Sequence, residues 1–294
     1  ARTAFITTNG FRDILEMQYE KRFDQYNLNI ELPIPLVPRD LRFTLKERCL
    51  SSGKIILKPK INEIKILAKK LISLKIEAIA IGFLHSYTNA ENELFVKNTL
   101  RKILPPEITL CTSHQICPEV REYERFSTTV ANSFVRPLMI RYLDSLEKSL
   151  IKLGFKGKMF LISSDAGITT ISQSKKFPIR LVESGPAGGV ALASYVSKSL
   201  NENKSISLDI GGTTAKICYL KNGDAIKERK FEIARSDISK KGSGLPLKIP
   251  SIDLLEIGAW KGASIASFSK YFENANAKGG GPRVAFLTVP RDFV

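Results

Sequence analysis

The segment Asp209–Thr214 joins two β-like runs and limits most strongly what this chain can fold into. Its sequence is Asp-Ile-Gly-Gly-Thr-Thr; the apolar run Ile206–Ile210 leads into the glycines, and β-like Lys216–Leu220 follows them. Asn222-Gly223 then marks a tight hairpin turn. A P-loop would need a helix and a Gly-Lys-Ser/Thr triplet at this place. The sequence therefore predicts two antiparallel strands joined at the glycines.

Such a loop has residues suited to holding phosphate. Gly211 and Gly212 let the backbone turn tightly and bring N–H groups against phosphate oxygens. Thr213 and Thr214 add hydroxyl donors, and Asp209 can hold Mg²⁺, through water. The alternative is a purely structural Gly-Gly hairpin with an aspartate cap.

A second glycine-rich stretch, Glu183–Gly189, precedes an apolar helical run at Val190–Leu200. We expect it to form a turn whose glycines, Gly185, Gly188 and Gly189, open a helix. The N-terminus of a helix is a ready anion site, because its N–H groups are unpaired and its dipole is positive there. The alternative is close helix–strand packing, which also needs small residues.

The order of elements predicts an α/β protein. Strand-like runs occur at Ala4–Thr7, Leu41–Arg48, Lys54–Leu57, Ala78–Phe83, Ile108–Thr112 and Lys158–Ser163. Helical patterns occur at Ile61–Leu74, Ala90–Leu104 and Phe134–Leu153. Alternation of strands and helices is typical of βαβ layers. We therefore expect two α/β units that meet near residues 105–115.

The charge balance does not by itself indicate a nucleic-acid partner. Lys plus Arg is 45 and Asp plus Glu is 29, for a net charge of +16. The basic residues are scattered, and the densest piece, Lys227–Lys230, is interrupted by an acidic residue. A basic binding module without catalysis stays open as an alternative. No apolar run reaches the roughly 18–20 residues of a membrane span, so we expect no membrane partner.

The cysteines and histidines offer little for metal binding or nucleophilic catalysis. The 4 cysteines include only one C-x₅-C pair, Cys111 and Cys117, and there are 2 histidines. His114 lies between those thiols, but no third group that would orient it is identifiable in the sequence. A loop histidine beside two core thiols is the favoured interpretation. The N-terminus shows no signal peptide, and we expect a cytoplasmic protein with reduced thiols.

Several motifs together resemble one known family. The Asp209–Thr214 loop looks like the phosphate loop of the actin, sugar kinase and Hsp70 ATPase superfamily. Other segments resemble the hydantoinase/oxoprolinase family, specifically its N-methylhydantoinase A-type subunit. These segments are Ala1–Asp13, Pro38-Arg39, Leu84–Tyr87, Pro118–Arg125, Val182–Gly189 and Lys241–Pro246. The resemblance runs in order over roughly residues 1–265.

This resemblance implies a partial actin-like ATPase architecture of the ribonuclease H-like type. It divides the chain into an N-terminal-type α/β domain at 1–106, an A-type ATPase domain at 107–270 and an unrecognised tail at 271–294. The implied activity is ATP-dependent opening of a cyclic amide such as hydantoin or 5-oxoproline, with ATP, Mg²⁺ and a B-type subunit. An alternative within the superfamily is an ATP-dependent carboxylase subunit of the acetone or acetophenone type.

The resemblance also implies a set of site residues. Asp209 would be the catalytic and metal-binding carboxylate. The nucleotide would contact Gly211, Gly212, Thr213, Thr214, Gly185, Gly188, Gly189 and Gly258.

The chain departs from the family pattern at two places. The family begins with an earlier Asp-x-Gly-Gly-Thr loop that is absent from this sequence. Its later glycine cluster is interrupted here by Trp260-Lys261. Because each phosphate loop supplies part of the charge neutralisation, we expect a fragment that is inactive in ring opening on its own.

Overall fold

The computed structural model describes residues 1–19, 22–210, 214–237, 240–258 and 283–286. Contacts between Cα atoms divide the chain into two compact units. Unit 1 comprises Ala1–Met159, Thr170–Ile179 and Arg229–Ile249, and unit 2 comprises Phe160–Thr169, Arg180–Glu228 and Pro250–Val294. This division differs from the expected meeting point near residues 105–115, because the residues after that point, up to Met159, also belong to unit 1.

The elements follow one another in this order. The strands are β1 Thr3–Thr8, β2 Arg42–Leu45, β3 Arg48–Cys49, β4 Ile55–Leu57, β5 Ala78–Gly82, β6 Thr109–Thr112, β7 Phe160–Ile162, β8 Ile168–Thr170, β9 Lys204–Ile210, β10 Thr214–Lys221, β11 Asp224–Ala225, β12 Lys227–Ile233, β13 Leu245–Ile252, β14 Leu255–Gly258 and β15 Arg283–Phe286. The α-helices are α1 Ile14–Met17, α2 Ile61–Ser73, α3 Glu91–Arg101, α4 Ser113–Ile116, α5 Glu122–Lys152, α6 Ile171–Lys176 and α7 Ser184–Ser199. Short 3₁₀ turns occupy Arg39–Leu41 and Pro178–Leu181. The α/β class is confirmed.

Unit 1 is built on a parallel four-stranded sheet in the order β2-β1-β5-β6. Every residue of β1 and β5 is buried, as expected for central strands with helices on both faces. One face packs on α5, where the rings of Phe5 and Phe126 lie 5.3 Å apart. Gly82 permits this approach, since a Cβ there would lie 2.5 Å from a ring carbon of Phe126.

Helix α5 begins at Glu122, well before the expected start at Phe134. Its first half buries Phe126 and Val130 in the core and, between them, several polar side chains. Their hydroxyls bond back to carbonyls one turn earlier, as Thr128 does to Glu124 at 2.6 Å and Thr129 to Arg125 at 2.7 Å. The expected end at Leu153 is correct within one residue.

Unit 2 contains the predicted hairpin. β9 and β10 are antiparallel neighbours, paired from Ile210 with Ala215 to Lys204 with Lys221. β10 also pairs with β11 and β14, and β15 runs parallel to β9 on its other side. The expectation of antiparallel strands around the glycine loop is confirmed. Residues 211–213 lie outside the described residues.

The glycine-rich stretch before α7 is helix rather than the expected turn. Helix α7 begins at Ser184, so Gly185 to Gly189 form its first turns. Pro186 is tolerated because the N–H groups of a first turn have no helical acceptor in any case. Among the described residues, no helix is long and apolar enough to cross a membrane.

Candidate functional site

Three of the predicted site residues lie at one end of the unit 2 sheet. Asp209 is the penultimate residue of β9, and Thr214 is the first of β10. The register pairs Thr214 with Gly258, the last residue of β14. The strand ends around the loop therefore bring Asp209, Thr214 and Gly258 together. Gly211, Gly212 and Thr213 fall outside the described residues.

Asp209 belongs to the face of the hairpin that packs against α7. Ser205, four residues before Asp209 on β9, donates from its hydroxyl to that of Ser197 on α7, at 2.7 Å. On β10, Cys218 and Leu220 pack with α7 residues in one buried cluster. Side chains two residues apart share a face of a strand. Asp209 and its opposed residue Lys216 are thus on this same face.

The direction of α7 places its first turn at the loop end of the hairpin. The ammonium of Lys216 contacts the carboxylate of Glu183, the residue just before α7. At the other end of the helix, Lys198 pairs with Asp224 at 2.7 Å, beside the Asn-Gly turn. The N-terminus of α7 consequently lies near the strand ends that flank the loop.

The α7 glycines divide into two kinds. A Cβ on Gly188 would lie 2.9 Å from Cδ1 of Ile162, so close packing explains this glycine. A Cβ on Gly185 or Gly189 would meet no atom of the described residues within 4 Å. Packing against the described residues therefore does not account for Gly185 and Gly189, which are one helical turn apart on the same side of α7.

This arrangement is chemically suited to a nucleotide phosphate with a divalent cation. Unpaired N–H groups and the positive end of the helix dipole favour an anion at the first turn of α7. Asp209 offers one half-buried carboxylate at the adjacent strand end. Among the described residues, no three His, Cys, Asp or Glu side chains cluster as a metal cage. A cation here would depend on Asp209, water and phosphate oxygens, which is how Mg²⁺ is commonly held.

Unit 1 holds a buried polar cluster that the sequence did not reveal. Glu93 is fully buried and accepts hydrogen bonds from Ser86, Ser113 and His114 at 2.8, 2.6 and 2.6 Å. Burial alone would raise the pKa of Glu93, but the bonds from His114 and Ser113 outweigh it and leave the pKa below its usual range. The orienting group for His114, not identifiable in the sequence, is therefore Glu93. No local pattern signals this pair, since 21 positions separate the residues.

The cysteines beside His114 do not support nucleophilic catalysis. Cys111 and Cys117 are free and buried. Burial raises the pKa of Cys117 to about 11, so its thiol is protonated near neutral pH. The two thiols are buried as expected, but His114 lies in the short helix α4 rather than in a loop.

Comparison with family models gives two matches that cover most of the chain. Residues 1–104 match the hydantoinase/oxoprolinase N-terminal region, and residues 125–278 match the hydantoinase/oxoprolinase model.

Known relatives include characterised enzymes. The chain is 37% identical over 264 residues to an uncharacterized protein of Methanocaldococcus jannaschii, covering 89% of this chain and 39% of that protein. It is 31% identical to 5-oxoprolinase of Saccharomyces cerevisiae, covering 91% of this chain and 22% of the enzyme. It is 27% identical to caprolactamase subunit alpha of Pseudomonas jessenii, covering 92% of this chain and 38% of that subunit. The chain thus spans well under half the length of these relatives.

Two solved structures share the fold. The ATP-dependent caprolactamase of Pseudomonas jessenii superposes with a TM-score of 0.78, and nucleotide-free acetone carboxylase with 0.73. Both are 25% identical to this chain and cover 88% of it, while the chain covers 36% of each. Both of these proteins are ATP-dependent enzymes. With both family models matched in chain order and the fold shared, the chain belongs to the hydantoinase/oxoprolinase family.

Proposed function

We propose that unit 2 binds the phosphates of ATP between the Asp209–Thr214 loop and the first two turns of α7. We further propose that the protein uses ATP to open a cyclic amide of the hydantoin or 5-oxoproline type. The observation that carries the nucleotide site is that no atom of the described residues lies against Gly185 or Gly189, on a helix end that lies at the loop. The ring-opening activity is supported by the 5-oxoprolinase and caprolactamase relatives.

Gly185 and Gly189 lower the stability of helix α7, so their presence needs an explanation. Glycine in a helix is less favourable than alanine by about 1 kcal/mol per residue. Neither Gly185 nor Gly189 recovers this through close packing with the described residues. A phosphate that approaches the backbone at these positions would exclude a Cβ and so account for both.

The residues of the proposed site would have distinct roles in phosphoryl transfer. When bound, ATP would supply a phosphoryl group to the amide oxygen, with ADP as the leaving group. Water would then add to the activated carbon, the ring C–N bond would break, and a second water would release the phosphate. Asp209 would hold Mg²⁺, and Gly211 and Gly212 would present N–H groups to the phosphates. The first turn of α7 would add positive potential on the same side. Together these groups would position the phosphates and neutralise their charge, which is most of the catalysis in such reactions.

We base the proposed partner and substrate on what the relatives are. The caprolactamase relative is a subunit, so we propose that this chain also works with a second, B-type polypeptide. The match to acetone carboxylase favours one alternative, ATP-dependent carboxylation of a ketone. Measurement of phosphate release in the presence of a B-type partner distinguishes ring opening from carboxylation. Release stimulated by hydantoin or 5-oxoproline supports ring opening, whereas release stimulated only by acetone with bicarbonate overturns it.

The nucleotide site is tested by Gly189→Ala. Calorimetric titration with a non-hydrolysable ATP analogue should show affinity reduced at least tenfold, about 1.4 kcal/mol. The helix itself should gain stability, since alanine is the better helix former. Ser199→Ala, in the last turn of the same helix, is the control and should leave affinity unchanged. Unaltered affinity in Gly189→Ala would show that no phosphate approaches this turn.

A further inference from the structure

Lys216 occupies an acidic environment in the sheet of unit 2. On β10 it is opposed by Asp209 of β9. Its ammonium contacts the carboxylate of Glu183, which precedes α7. Lys216 thus lies between an acidic position of the neighbouring strand and the acidic residue that precedes α7.

The contact with Glu183 is partly withdrawn from solvent. The side chains of Lys216 and Glu183 are 16% and 25% exposed. Ion pairs at such sites are screened less by salt than exposed pairs, and removing one partner leaves the other charge poorly solvated. The backbone of Glu183 has φ of 58°, a left-handed conformation that a glutamate rarely adopts. The side-chain contact therefore holds a residue whose backbone conformation is itself unfavourable.

The rest of α7 has other attachments to the sheet. Ala187, Val190 and Ala193 lie in a buried cluster with Cys218 and Leu220. Lys198 pairs with Asp224 near the last turn. Glu183 lies before all of these α7 residues in the chain. Loss of its partner should loosen the first turn and leave the remaining helix docked.

We propose that Lys216 is a positioning residue that holds the first turn of α7 against the β9–β10 hairpin through Glu183. This inference rests on the proposed nucleotide site, because that turn and the hairpin loop are its two phosphate-binding elements. Lys216 acts through Glu183 and the helix backbone rather than by contacting phosphate. Its removal weakens nucleotide binding because the helix N–H groups lose their fixed direction.

The experiment compares amide hydrogen exchange at Gly188 and Gly189 without nucleotide with the affinity for a non-hydrolysable ATP analogue. Lys216→Met should accelerate exchange and weaken affinity by about fivefold each, the effect of losing about 1 kcal/mol. Lys216→Arg should restore both, because it keeps the charge. Lys198→Met removes the ion pair at the other end of α7 and should change neither.

A double variant, Lys216→Glu with Glu183→Lys, exchanges the two charges and gives the most decisive test. If Lys216 acts only by holding the first turn, this double variant recovers both slow exchange and nucleotide affinity. Recovery of slow exchange without affinity would mean that the charge at position 216, which is opposed by Asp209, itself acts on nucleotide binding, and it would overturn the proposal. So would unchanged exchange in Lys216→Met. Failure of the unaltered chain to bind nucleotide would instead contradict the proposed function, and the exchange data would still decide whether Lys216 holds the turn.

Discussion

Nδ1 of His114 lies 2.6 Å from Oε2 of Glu93, a carboxylate that is completely buried. Because the pKa of Glu93 is lowered, the carboxylate is charged near neutral pH and Nδ1 carries the proton that joins them. The pair ties helix α3 to the residues that directly follow strand β6.

Glu93→Gln should destabilise the chain in a pH-dependent way. A carboxyl group with a lowered folded-state pKa contributes stability above its unfolded pKa of about 4.3, and this contribution is lost as the pH falls through the folded-state value. Urea unfolding at pH 7 should show a loss of about 2–3 kcal/mol, typical for charged hydrogen bonds that are removed from a buried site. The variant should also lose less stability than the unaltered chain on acidification. Parallel pH profiles for the two proteins would contradict this role of Glu93.

Gly82→Ala should destabilise unit 1. The added Cβ would lie 2.5 Å from Cδ1 of Phe126 and 3.1 Å from Cε2 of Phe5, and neither ring can move freely in a packed core. We expect a loss of about 1–3 kcal/mol, the usual effect of overpacking, measured by chemical denaturation. A second change, Phe126→Leu, should recover part of the loss when combined with Gly82→Ala. A stability loss in the double variant that equals the sum of the single losses would refute the steric explanation.

Gly212→Val should abolish binding of an ATP analogue. The prediction stands on the sequence of the loop, where a branched side chain would occupy phosphate space. Calorimetry measures the affinity, and the thermal transition of the variant checks that the hairpin still folds. Retained affinity would leave the glycines with a structural role only.

Asp209→Asn should mainly alter the dependence on Mg²⁺. An amide keeps the shape of the carboxylate at the end of β9 but loses its charge, which a hard divalent cation prefers. We expect the Mg²⁺ concentration that half-saturates nucleotide binding to rise by about tenfold, while metal-free affinity changes little. Identical Mg²⁺ titrations for the two proteins would remove Asp209 from the metal site.

The sequence determined the elements whose signals are local. Glycines between two β-like runs, followed by Asn222-Gly223, specify the β9–β10 hairpin because turn geometry depends on a few adjacent residues. The apolar stripe of Ile61–Leu74 similarly predicts α2, whose buried face is Ile64, Leu67, Ala68 and Leu71. The family was also visible in the sequence, since its motifs are contiguous.

Only the tertiary structure decided which distant side chains meet. The first half of α5 is helical although many of its buried side chains are polar, because surrounding elements bury it and the buried hydroxyls donate to its own carbonyls. Lys216 meets Glu183 across 33 positions, and His114 meets Glu93 across 21. Such pairs depend on how a helix docks on a sheet. That docking is determined by the packing of the whole unit, so no local pattern of residues predicts it.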